Sequence, residues 1–577
     1  MGEFTLQEVA FAMKMRRGTG VILLAIWAVV AFSAASLAAP PNELLQGGGR
    51  GLVVTTQPLA DKIGQEVLDR GGNAVDAAAA VAYALAVCHP SAGNIGGGGF
   101  AIIHMADGTD AALDFREMAP GRATRDMYLD EKGNVIPQAS TRTYLAAGVP
   151  GTVAGISAML ERYGTWKLDR IIAPAIELAE KGFVITKNHA GSMKSEREKF
   201  KKFATGRRYF LHKNGSTYKE GERFRQKDMA KTLRRIAKNG PREFYEGKTA
   251  ELIAADMKRN GGLITKEDLA RYRPVWREPS VADYRGYKIV SMPPPSSGGI
   301  VVAEILNIME NADVAKMGFN TSETLHLMAE AMRRAYADRS EYLGDPAFVK
   351  IPAELSSKEY ARKLFKQIEG GATPSDKVRP GLGALHEGTN TTHYSVVDSA
   401  GNAVSVTYTI NESYGSGAAV KGAGFLLNNE MDDFSVKPGV PNVYGLVGGD
   451  ANAVEPYKRP LSSMSPSIVS KDGRIFMVLG SPGGARIITT VLQVISNVID
   501  HKMPINEAVS APRVHMQWLP DELRVEPMNG LGGDVVEELR SMGYSLPLKS
   551  YMGDVNAILI DPETGAVTGS HDSRHEF

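Results

Sequence analysis

Asn390-Thr391-Thr392-His393-Tyr394-Ser395-Val396-Val397-Asp398 decides how this chain is read. Its β-branched and aromatic residues favour a β-strand over 392–397. The same residues also admit a chemical reading. An internal threonine hydroxyl has no reason to lose its proton at neutral pH. A threonine at a chain end carries its own base, an α-amine with a pKa of about 7.7–8.0 beside its Oγ. A base titrating near the working pH is well matched to proton transfer, and threonine with its own terminal amine is one variant of the nucleophile–base pair. A cut between Asn390 and Thr391 would make Thr391 such a residue. This stretch alone leaves both readings open.

Four features downstream converge on the chemical reading. Ser399-Ala400-Gly401-Asn402 is a short turn, after which Thr407-Tyr408-Thr409-Ile410-Asn411 closes a second strand. Such a hairpin sets Thr409 and Asn411 beside Thr391. Asn429-Glu430-Met431-Asp432-Asp433 packs three carboxylates into four positions, suited to an ammonium, although a solvated acidic turn has the same composition. Leu461-Ser462-Ser463-Met464-Ser465-Pro466 places paired hydroxyls ahead of a strand, where they could bond a carboxylate. Gly480-Ser481-Pro482-Gly483-Gly484-Ala485-Arg486 leads from a strand into an apolar helix. Consecutive glycine N–H groups at a helix N-terminus form an anion-binding hollow, here an oxyanion hole, or else a bare Gly-Gly turn.

Upstream, the composition shifts near residue 370, where Gly370-Gly371, Pro374 and Pro380-Gly381-Leu382-Gly383 suggest an exposed segment leading to Asn390. Further strands are expected at 51–56, 403–409, 425–427 and 474–479, with a strand pair at 101–105 and 111–116 about Asp107-Gly108. Gly72-Asn73-Ala74-Val75-Asp76 opens an alanine-rich helix that ends before Pro90. Gly96 to Gly99 lacks the Lys-Ser/Thr of a phosphate loop and reads as backbone that must pass close to something. Asn320 with Glu323 forms a capping pair for a helix whose Leu325, Met328, Ala329, Met332 and Tyr336 share one face. The Lys/Arg-rich stretch 194–238 reads as solvated helical surface.

The chain has 577 residues, 43% hydrophobic and 23% charged, which is ample for a large core or two packed lobes. A net charge of +1 gives no case for nucleic acid or an anionic membrane surface as partner. The single cysteine, Cys88, excludes an intrachain disulfide and reads as a buried thiol in its apolar helix. The 11 histidines show no ligand spacing, so neither a metal nor a cofactor is expected. Lys14, Arg16 and Arg17 precede an apolar run from Val21 to Phe32 and the small residues Ser33-Ala34-Ala35-Ser36-Leu37-Ala38-Ala39. That is the pattern of a secretory signal peptide, 1–39, cut after Ala38 or Ala39, with an uncleaved anchor as the alternative; the apolar core is too short to span a bilayer comfortably. The mature protein is expected to be soluble and periplasmic or secreted.

With these residues in hand the chain resembles the bacterial γ-glutamyltranspeptidases (glutathione hydrolases) of the N-terminal nucleophile hydrolase superfamily. The resemblance runs from Gly51-Leu52-Val53 through Asp114-Phe115-Arg116-Glu117-Met118-Ala119-Pro120, Gly148-Val149-Pro150-Gly151 and Pro295-Ser296-Ser297-Gly298-Gly299 to the motifs after Thr391. It implies an α/β (α+β) fold, a four-layer αββα sandwich built by both products of a self-cleaved precursor. These are a large subunit, 40–390, and a small catalytic subunit, 391–577. It also implies that Thr391 forms a γ-glutamyl ester from glutathione or another γ-glutamyl amide, resolved by water or by an amino acid or peptide amine. By the same resemblance Thr409 bonds the Thr391 amine, and Gly483 and Gly484 supply the oxyanion hole. Arg116, Ser462 and Ser463 grip the α-carboxylate; Asn411, Glu430 and Asp433 hold the α-ammonium. Pro438-Gly439-Val440-Pro441-Asn442-Val443-Tyr444-Gly445 resembles a lid loop with Tyr444 as gate. The tail from Gly569 to Phe577 is shorter than usual and puts the last strand's packing in question. Two rivals stand beside this reading. A glutaryl-cephalosporin-type acylase would need no ammonium pocket, and an unprocessed exported γ-glutamyl-peptide binding protein would need no nucleophile.

Overall fold

The structure is a computed structural model that describes residues 42–378, 391–437, 439–440, 442, 448–527, 530–549, 551–572 and 574. The expected signal peptide, Asn390 and Tyr444 lie outside them. Among the described residues, thirteen strands build the two large sheets. In chain order they are β1 (Leu45–Gln46), β2 (Gly51–Thr55), β3 (Gly98–His104), β4 (Asp110–Asp114), β5 (Val275–Arg277), β6 (Ser280–Tyr284), β7 (Tyr287–Ser291), β8 (Thr392–Asp398), β9 (Ala403–Thr409), β10 (Ser467–Lys471), β11 (Arg474–Gly480), β12 (Asn556–Ile560) and β13 (Val567–His571). One sheet runs β2-β8-β9-β3-β4-β5 and the other β1-β13-β12-β11-β10-β7-β6. Neighbouring strands pair antiparallel throughout.

Period-two alternation along β8 explains how the layers stack. Tyr394 and Val396 join the core that includes α1 (Pro58–Asp69), α2 (Ala74–Cys88) and α3 (Thr152–Tyr163). Val397 joins the core of the other sheet with α4 (Gly298–Met309), α5 (Ser322–Tyr342) and α6 (Arg486–Ile499). His393 and Ser395 share that second face. Ser395 Oγ donates to Asn556 O on β12 (2.9 Å), and His393 Nδ1 lies 2.8 Å from Thr407 Oγ1. The two sheets therefore meet face to face across a seam in which these polar groups sit among apolar residues such as Phe100, Ile102 and Val397, with helices on both outer sides, which is the expected αββα sandwich.

Local chemistry sets the elements that carry the site. Asn73 and Asp76 form a reciprocal capping box at the start of α2, and every residue of that helix is buried, Cys88 included. Tyr408 Oη reaches from β9 to Ala82 O of α2 (3.0 Å). The glycine run passes hard against its neighbours: a Cβ on Gly97 would sit 1.9 Å from Thr409 O, and one on Gly96 would sit 2.1 Å from Leu426 O.

Three local expectations need correction. The helix α5 is capped by Thr321, whose side chain accepts from Thr324 N; Asn320, at φ +50°, instead donates through Nδ2 to Pro512 O (3.2 Å). The stretch 425–427 is no strand of either sheet, because Leu426 forms only an isolated bridge with Ala419. The basic stretch 194–238 folds largely into helices, but Phe200, Phe210 and Lys199 are buried, with Lys199 Nζ in ion-pair contact with Glu196 (2.8 Å). The last strand is in place: β13 pairs with both β12 and β1. Beyond it, Arg574 bonds Glu526 (2.7 Å) and Asp572 (2.9 Å).

Gly480 faces His393 across the seam, and a Cβ there would lie 2.4 Å from the imidazole ring. Gly480→Ala is therefore expected to lower stability by about 1–3 kcal/mol through overpacking. A urea melt with a lower midpoint at unchanged slope checks it.

Candidate active site

The hairpin turns its register into a reactive geometry. Thr392 pairs with Tyr408, so buried Thr391, just ahead of β8, lies beside Thr409 at the end of β9, and Thr391 Oγ1 donates to Thr409 Oγ1 at 3.4 Å. Thr409 is itself held from two sides. Its Oγ1 accepts from Asn411 N (2.8 Å), and its carbonyl accepts from Asn94 Nδ2 (2.9 Å). Asn94 Oδ1 in turn accepts from Gly97 N (2.9 Å), so the glycine run and the hairpin end are locked together. Asn411 occupies the left-handed region at φ +74°, which asparagine tolerates better than most residues. Its Nδ2 donates to Asn429 O (2.9 Å), while its buried Oδ1 has no partner among the described residues.

Next to this lies a dense charge cluster. The acidic run folds into a short turn, Glu430–Asp433, that brings two of its three carboxylates to Arg116. Arg116 Nη1 donates to Glu430 Oε1 and Nη2 to Asp433 Oδ2, with further bonds to Pro460 O (3.2 Å) and Leu461 O (3.1 Å). The third, Asp432, accepts from Ser140 Oγ (2.6 Å) instead. Glu117 adds another buried carboxylate 3.6 Å from Arg116 Nη1. One buried guanidinium thus serves three carboxylates. Burial pushes Glu430 well above the usual carboxylate range; Arg116 opposes this, and the like charges of Glu117 and Asp433 add to it. Burial likewise raises Asp433 against the pull of Arg116, and raises Glu117 to about 7. Glu430 Oε2, like Asn411 Oδ1, is buried with no hydrogen-bond partner among the described residues.

Opposite the acids are hydroxyls. Ser462 Oγ accepts from Met464 N (3.2 Å), and Ser463 Oγ accepts from Arg339 Nη2 (3.1 Å). The glycine pair precedes α6 with φ +137° at Gly483 and +58° at Gly484.

Nine of the expected residues line one cavity: Thr391, Thr409, Arg116, Asn411, Glu430, Asp433, Ser462, Ser463 and Gly484. It encloses about 520 Å³ of empty space, mouth included. Gly483 adjoins this cavity without lining it, and Tyr444 lies outside the described residues. Two charged residues of the site are not singled out by the sequence. Glu117 follows Arg116 directly, and only its place in the motif 114–120 sets it apart from other acids. Arg339 also lines the cavity, but on α5 it looks like any arginine of a charged helix.

Comparison with known proteins agrees with this geometry. The family described as Gamma-glutamyltranspeptidase matches residues 60–576. The chain is 53% identical over 527 residues to the glutathione hydrolase proenzyme of Escherichia coli (strain K12), covering 91% of this chain and 90% of that protein. Among solved structures, the Helicobacter pylori γ-glutamyltranspeptidase is 56% identical with a TM-score of 0.57, over 59% of this chain and 98% of that one. A cephalosporin acylase from Bacillus halodurans, 30% identical, has a TM-score of 0.81 over 94% of this chain and 96% of that one. The chain belongs to the γ-glutamyltranspeptidase family of the N-terminal nucleophile hydrolase superfamily.

Proposed function

We propose the following route for the γ-glutamyltransferase and glutathione hydrolase activity that family membership gives this chain. The precursor cuts itself between Asn390 and Thr391, yielding subunits 40–390 and 391–577 that stay together. The freed Thr391 amine, bonded by Thr409, takes the proton of Thr391 Oγ as that oxygen attacks the γ-carbonyl carbon of a γ-glutamyl amide. The N–H groups of Gly483 and Gly484 stabilise the resulting oxyanion. The C–N bond then breaks, the departing amine takes the proton, and a γ-glutamyl ester remains on Thr391. Water releases glutamate, or an amino acid or peptide amine takes the γ-glutamyl group. Ser462, Ser463 and Arg116 orient the α-carboxylate; Asn411, Glu430 and Asp433 take the α-ammonium. Tyr444 gates the site. The leader pattern supports export, so we place the mature enzyme in the periplasm or outside the cell. No helix among the described residues is long and apolar enough to cross a membrane.

One observation carries the substrate assignment. Asn411 Oδ1 is a buried acceptor with no donor among the described residues, and beside it the Glu430 and Asp433 carboxyls share one guanidinium, in the cavity that also holds Thr391. An ammonium with several N–H donors supplies the missing partner, and leaving such an acceptor unpaired is costly. A glutaryl group, which has no amine, would leave it unsatisfied. This favours γ-glutamyl over glutaryl donors, even though the acylase from Bacillus halodurans shares the fold.

N-terminal sequencing of the purified protein is expected to find a second polypeptide beginning at Thr391; Thr391→Ala is expected to remain one chain without activity. Fully active, uncut material would sink the route. Asn411→Ala is expected to lower kcat/KM for γ-glutamyl-p-nitroanilide about 10- to 100-fold, the loss of one hydrogen bond to a charged group, while hydrolysis of the glutaryl analogue changes little. The acid cluster also sets a pH dependence. A carboxyl raised to about 7 is neutral below that pH and charged above it, so attraction for the ammonium weakens as pH falls through 7. The KM for the donor is expected to climb on the acid side, and Glu117→Gln to flatten that limb in a KM-against-pH profile.

A further inference from the structure

Arg339 is a buried cation that the proposed route leaves without a task. Only 3% of it is exposed, yet it lines the cavity that holds Thr391. Its guanidinium bonds hydroxyls: Nε donates to Ser297 Oγ (2.8 Å) and Nη2 to Ser463 Oγ (3.1 Å). Among the described residues no carboxylate stands within ion-pair distance of it. A buried charge without a partner is expensive, and a guanidinium does not shed its proton near neutral pH to escape the cost. Burial pulls Arg339 down to about 10, still charged at pH 7, with Tyr336 and Asp433 pulling the other way.

Arg116 cannot balance an incoming carboxylate alone, because Nη1 and Nη2 are both engaged by Glu430 and Asp433, and Glu117 stands 3.6 Å away. The positive charge left over in the cavity is that of Arg339. Its neighbours explain a motif that the catalytic route does not use, Pro295-Ser296-Ser297-Gly298-Gly299. Ser297 N and Ser297 Oγ both donate to Ser462 O, each at 2.7 Å, and Ser462 N donates to Pro295 O (2.9 Å). The motif therefore ties the start of α4 to the hydroxyl pair, and Arg339 closes the loop by holding Ser297 and Ser463 together. The polarity also follows. Ser462 Oγ accepts from Met464 N and Ser463 Oγ from Arg339, so each oxygen already accepts one fixed donor and each O–H is left to donate.

We propose that Arg339 is the positioning residue of the α-carboxylate subsite: through Ser463 and Ser297 it turns the two hydroxyls outward as donors and supplies the positive charge that the bound carboxylate faces. This assignment rests on the γ-glutamyl reading of the site. It makes recognition of the donor's α-carboxylate depend on α5 and the 295–299 motif as well as on Arg116, which also holds the acids that face the ammonium.

The test uses the processed enzyme and two donors, γ-glutamyl-p-nitroanilide and 4-aminobutyryl-p-nitroanilide, which keeps the amine and lacks only the α-carboxylate. In Arg339→Gln the preference for the γ-glutamyl donor is expected to fall about 10- to 100-fold, mainly through KM, with Arg339→Lys recovering part of it. A variant in which both donors lose activity in parallel, with the preference kept, overturns the proposal and makes Arg339 a structural residue. If Arg339→Gln does not fold or process, Ser297→Ala decides. A raised KM for the γ-glutamyl donor alone supports the assignment, and an unchanged KM overturns it. A wild-type enzyme that turned over the glutaryl anilide as readily as the γ-glutamyl one would instead overturn the underlying substrate reading.

Discussion

The antiparallel register that sets Thr392 opposite Tyr408 is the constraint to which the rest of the cavity is referred. Side chains alternate along a strand, so a slip of one residue would send His393 and Ser395 into the apolar core under α2 and carry Tyr394 and Val396 into the seam. The four-residue turn after β8, the glycine run beside β9 and the bond from Asn94 to Thr409 O all hold that register. Because His393 and Ser395 find polar partners only on the second face, the strand has only one comfortable position. Thr391 inherits its place from it.

Around that fixed point the cavity divides by charge. On one side three carboxylates crowd one guanidinium, and on the other two serines and Arg339 present donors. Burial holds the acids toward their neutral form, while the guanidinium of Arg339 keeps its charge. The two sides thus present different polarity within one cavity. The cost of holding these charges away from water is carried by the two large cores around them.

Much of this is legible in the amino-acid sequence, and what is legible has local causes. The hairpin can be read because the turn and both strands are contiguous, and the helix α2 because its cap and alanine run are. The tightness at Gly96 to Gly99 is readable because only glycine lets backbone approach that closely. What fails to show depends on contacts between distant segments. Glu430 and Asp433 turn toward Arg116 while Asp432 turns to Ser140, and composition cannot order three acids in a row of four. Thr321 and not Asn320 caps α5, a one-residue shift that the favoured residue types leave undecided. Arg339 and Glu117 carry no mark in the sequence, since buried and solvated charges are written with the same letters. Strands β7 and β10, neighbours in the second sheet, lie well over a hundred positions apart and leave no periodic trace.

Strand order has a consequence for what a break at residue 390 would leave behind. In one sheet β8 and β9 are wedged between β2 and β3; in the other, β10 to β13 are flanked by β7 on one side and β1 on the other. Neither fragment owns a whole sheet, and each would expose raw strand edges if drawn apart. The nicked molecule would hold together as interlaced fingers do, without a covalent tether, and its persistence would be a matter of slow unfolding more than of affinity between ready-made parts.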